Sequence, residues 1–106
     1  MEIKNRIESY AAKLDEARVA YFDAHFDYVT PDPVSVTFGR KYAKVCVGDS
    51  VHTFVDKTTG DIYKAASWRA PAKGVRGSVL AEDFGMSAVG PYGALYITGG
   101  GNYTFS

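Results

Sequence analysis

Residues 68–80, Trp68-Arg69-Ala70-Pro71-Ala72-Lys73-Gly74-Val75-Arg76-Gly77-Ser78-Val79-Leu80, concentrate the side chains able to do chemistry. The segment carries the cations Arg69, Lys73 and Arg76, no acid, and the only tryptophan of the chain. Cationic donors beside an exposed aromatic ring can grip a phosphate backbone and stack a base. Lys64 extends this to a cationic rim, and Tyr63 offers a second stacking surface. Each residue also has a plainer use. Trp68 can cap an apolar core, Lys64 and Arg69 can be solvated charges that keep a strand edge from aggregating, and Arg76 can pair with an acid of another subunit.

Other chemistries find less support. His25 and His52 have no second histidine or cysteine at a metal-ligand spacing, so no metal or other cofactor is expected. Cys46 and His52 would make a nucleophile and base only if a hairpin turned them together, and Cys46 between two valines reads as buried. Asp56 and Asp61 flank a turn whose aspartates serve local backbone bonds. Gly99-Gly100-Gly101 lacks the Lys-Ser/Thr that completes a phosphate loop. A non-enzymatic role follows as the expectation.

The elements that must position these residues read in two periods. Ile3, Ile7, Tyr10, Leu14, Ala17 and Tyr21 recur at steps of three and four, which predicts one amphipathic helix within residues 1–28, ended by Pro31 and Pro33. From Val34 the period becomes two. Strands are expected at 34–38, 42–47, 51–56 and 62–66, with turns at Gly39-Arg40-Lys41, Gly48-Asp49 and Asp56-Lys57-Thr58-Thr59-Gly60-Asp61. Trp68–Gly77 reads as a loop, and Ser78–Ala81 as a short fifth strand. A last strand is expected at 94–98.

A chain of 106 residues is one domain with a thin core, and an interface burying further apolar surface would complete it. No apolar run approaches the ~20 residues that span a bilayer. The N-terminus opens directly into a charged amphipathic pattern, and Cys46 is the only cysteine, so a cytoplasmic, reducing setting is expected. Net charge is zero, but its distribution is uneven. Residues 1–33 hold seven acids and four bases, residues 34–80 three acids and eight bases, and residues 81–106 two acids and no base. A basic middle can present a basic face on a neutral protein.

Val75-Arg76-Gly77-Ser78-Val79-Leu80 matches, position for position, the second signature of the Sm-like family: apolar, basic, glycine, two free positions, apolar. The first signature is partly echoed by Phe54-Val55-Asp56-Lys57-Thr58-Thr59-Gly60, with one extra residue and with glycine for the family's asparagine. The run from Val55 to Lys73, then Arg76-Gly77, is similar to a group of small marine phage proteins linked to cyanophages and to an Sm-like fold. The resemblance implies a mainly β domain with an N-terminal α-helix and a small five-stranded antiparallel Sm-like (SH3-like) barrel. The helix would be 1–28, the barrel strands 34–81, and 82–106 a C-terminal extension. It further implies a homo-oligomeric ring that binds short single-stranded RNA, in an infected host cell if the chain is phage-encoded. Arg76 and Gly77 would then lie on the nucleotide-contacting loop, with Lys73, Arg69, Trp68 and Lys64 around it. The competing expectation is a phage structural or adaptor ring that does not touch nucleic acid.

Overall fold

The computed structural model describes residues 2–25, 31–90 and 93–94. Helix α1 runs Ile3–His25. Its buried stripe is Ile7, Tyr10, Ala11, Leu14, Arg18 and Phe22. The expected stripe holds to Leu14 and then advances by fours, leaving Ala17 and Tyr21 half-buried. Arg18 hides this shift from the sequence, because a charge on the inner stripe reads as an outer position. Its guanidinium is satisfied by donating to the Asp32 carbonyl at 2.7 Å and lying over the Phe22 ring. At the helix end His25 stacks on Tyr21, and its ring Nδ1 lies 2.8 Å from the Tyr21 carbonyl. The part of the expected helix beyond His25 lies outside the described residues.

Five strands follow: β1 Val34–Phe38, β2 Tyr42–Val47, β3 Ser50–Asp56, β4 Asp61–Ala65 and β5 Pro71–Ser78. They form one antiparallel sheet in sequence order. The β3–β4 turn is built by Asp56, whose Oδ1 accepts the Thr58 and Thr59 amides, and by Gly60 at φ 80. Residues 66–69 form the bend between β4 and β5.

Two expectations change here. The segment read as a loop up to Gly77 is largely strand: β5 begins at Pro71 and ends at Ser78, and Val79–Leu80 is a turn. The Val75–Leu80 motif therefore closes a strand instead of leading into one. Proline and glycine, which signalled a loop, are tolerated because β5 is an edge strand: Pro71 opens it, and Gly74 takes φ 97 where the pairing is irregular. The second change concerns closure. β1 and β5 are not paired, so the sheet is open and the expected barrel is not formed.

The wall that a closed barrel would supply comes from other elements. Ile7, Tyr10 and Leu14 of α1 pack on Ala43, Val45, Val55 and Ile62, all fully buried. Arg6 fastens the helix to the chain after β5, donating to the Val79 and Ala81 carbonyls at 2.6 and 2.8 Å and lying over Phe84. Part of the expected extension is core. A single 3₁₀ turn, Met86–Ala88, leads into β6 (Val89–Gly90), which pairs with β7 (Gly93–Ala94), and Val89 is fully buried. The expected strand at 94–98 falls outside the described residues beyond Ala94.

Candidate nucleic-acid interface

Strand register sorts the side chains onto two faces. Phe38, Ala43, Val55, Ile62 and Gly77 form one row under α1. Thr37, Lys44, Phe54, Tyr63 and Val75 form the neighbouring row on the opposite, helix-free face. Phe54 is the buried floor of that face. Tyr42 and Tyr63 meet it or each other edge to face, with the Tyr42 ring 6.1 Å from Phe54 and 5.9 Å from Tyr63. Both tyrosines stay half-exposed.

The bend at 66–69 brings Trp68 over this face. Its ring is 52% exposed, and the Lys44 ammonium stands 4.5 Å from the ring centre and 6.0 Å from that of Phe54. Lys41 lies over Tyr42 at 5.3 Å. Arg69 and Lys73 are exposed on the bend and on the edge strand beside it. The face is electrically polar: Asp56 and Asp61 stand at its hairpin end, where turn groups already occupy them. A flexible polyanion with planar bases can be met at the other end, where the Lys44 ammonium stands against the open ring of Trp68.

Of the residues singled out from the sequence, Tyr63 and Trp68 come to this face, the first by register and the second over Lys44, while Arg69 and Lys73 are exposed on the bend and on the edge strand. The fold separates Lys64, which pairs with Thr53 and so shares the helix-side face. Arg76 falls in the β4–β5 irregularity and is half-buried. Gly77 has a packing role: a Cβ there would lie 2.4 Å from the Ala88 Cβ. Lys44, Tyr42 and Phe54 were missed. Alternation in Tyr42-Ala43-Lys44 does put Tyr42 and Lys44 on one face, but only the bend after β4 sets Trp68 against Lys44.

Behind the sheet lies a buried polar chain. β3 is irregular opposite Val45 and Cys46, with His52 as the extra residue. A bulge re-aims a side chain, and here successive residues His52 and Thr53 are both buried and bonded to each other. The His52 Nε2–H donates to the Gly90 carbonyl at 2.8 Å, which leaves Nδ1 to accept from the Thr53 hydroxyl at 3.2 Å. Thr53 in turn accepts from the Tyr10 phenol at 2.7 Å. Burial pulls His52 down to about 4, against the Gly90 carbonyl, which favours its cation, and pushes the Tyr10 phenol up. Both ring nitrogens are thus engaged away from Cys46, whose thiol burial also pushes up. Among the described residues no three histidine, cysteine or acidic side chains gather as a metal would require, and no helix is long and apolar enough to cross a membrane.

Comparison with curated proteins and with solved structures finds no match. Residues 2–92 match the model of a family of unknown function, DUF7717, a span that takes in α1, the whole sheet and the turn packed behind it. The chain belongs to that family.

Proposed function

We propose that this protein binds single-stranded RNA without catalysis, through the helix-free face of its sheet. The supporting observation is Trp68, half-exposed over the sheet with Lys44 at 4.5 Å, on the face that also carries the paired rings of Tyr42 and Tyr63. Trp68 and the two tyrosines offer planes for bases, while Lys44, Arg69 and Lys73 take up phosphate charge. Unstacked bases reach such a face, and a rigid duplex does not. The Sm-like reading belongs to this proposal in altered form. A helix followed by a five-strand antiparallel meander supports it, with the RNA moved from the expected Arg76-Gly77 site to the helix-free face. Assembly of copies fits the same reading, because the outer edges of β1 and β5 are unpaired among the described residues.

Fluorescence anisotropy of labelled oligouridine tests the proposal. Binding is expected at ~50 mM salt and weakens steeply by ~200 mM. Trp68→Ala weakens it by roughly 5- to 150-fold, the range of one lost stacking contact. No binding at low salt, or binding indifferent to Trp68→Ala and Lys44→Ala together, overturns it.

A further inference from the structure

Between α1 and β1 runs an open groove of about 540 Å³, lined by Lys4, Glu8, Ala12 and Asp15 on the helix and by Val36 and Phe38 on the strand. It lies beside the unpaired edge of β1. The Gly39 amide bonds to the Tyr42 carbonyl and the Gly48 amide to the Pro33 carbonyl. These bonds, with the β1–β2 register, turn the odd-numbered residues of β1 toward β2. The backbone groups of Val34, Val36 and Phe38 therefore face outward. The Val34 amide is already satisfied by Asp15 Oδ1 at 3.2 Å. The others form a template for one more strand.

The groove has a direction. Its cation sits at the Phe38 end, where the Lys4 ammonium lies 5.4 Å from the ring centre. The Asp15 carboxylate sits at the Val34 end. We infer that the occupant is a second copy of this chain, its β1 antiparallel to the first about a twofold axis at Val36, joining two five-stranded sheets into one. An antiparallel copy sets each Phe38 end against the other's Val34 end, so each Lys4 meets an Asp15. The same operation sets Glu8 across from Ala11. Val36 amides and carbonyls exchange bonds across the axis, and each Phe38 amide donates to the opposite Val34 carbonyl. Asp15 keeps its own bond to Val34 throughout. Such an interface is closed and self-complementary, unlike the head-to-tail β1–β5 contact that a ring requires. It also leaves the aromatic face of each copy open, so it stands or falls independently of RNA binding.

Light scattering on the eluting full chain tests it. The expected mass is about 23 kDa, twice the 11.5 kDa of one chain. Lys4→Glu weakens association by about tenfold, through two symmetry-related pairs, and adding Asp15→Lys restores it. Val36→Pro removes an outward amide that the β1–β2 ladder does not use, so it gives a monomer whose circular dichroism keeps the sheet signal. A single-chain mass up to ~0.1 mM protein, a mass above two chains, or a dimer unchanged by both Lys4→Glu and Val36→Pro overturns the inference.

Discussion

His52 illustrates how a single side chain can set the acid limit of the fold. Its folded-state value is pulled from 6.5 to about 4 by burial. Above pH ~6.5 it is neutral in both states. Between there and pH ~4 only the unfolded chain takes up the proton, so stability falls as pH falls, by about 3 kcal/mol in all. Urea unfolding at steps from pH 7 to 4 should show this loss, and His52→Gln should remove that part of the slope. Gly77 makes a second residue-scale case. Gly77→Ala drives a methyl into Ala88, and overpacking of this kind costs roughly 1–3 kcal/mol. Ala88→Gly in the same chain should recover most of it, measured by the urea midpoint. An Arg-Gly pair on a cationic segment suggested ligand contact from sequence. Its glycine also answers to a residue eleven positions on, which no local pattern announces.

At the scale of elements, α1 and the first four strands were legible because an apolar stripe at steps of three and four runs to Leu14 and because turn residues bound the apolar-rich strands. The fifth strand was not. Pro71, Gly74 and Gly77 are ordinary loop signals, and only an edge position lets them stand in a strand. The irregularity at His52 was also silent, since it depends on pairing with Val45 and Cys46. Its consequence is a hydrogen-bonded link from helix through sheet to β6. Tyr10→Phe breaks that link at Thr53 and should cost about 1 kcal/mol. Leu14→Ala, which empties a fully buried site at the same contact, should cost 2–5 kcal/mol, roughly. Chemical denaturation would rank the two, and equal costs would contradict the packing described.

The whole molecule is a sheet with two unlike faces. One face is sealed by α1 and by the turn at Met86–Ala88; the other carries Tyr42, Tyr63 and Lys44, with Trp68 folded over Lys44. Charge totals hinted at a basic middle, but they could not say that its cations converge on aromatic rings, because that convergence is made by register. Nor could they show that the sheet stays open, since closure depends on whether β1 reaches β5. We propose that single-stranded RNA lies on the aromatic face. Trp68 is the only tryptophan, so its emission reports from the site itself. Titration of the unlabelled protein with oligouridine at ~50 mM salt should quench and shift that emission in a saturable way. Lys44→Ala should move the midpoint to higher RNA concentration, and a double-stranded RNA of equal length should leave the emission unchanged. Emission that stays constant while RNA demonstrably binds, or that responds equally to duplex, would contradict the claim.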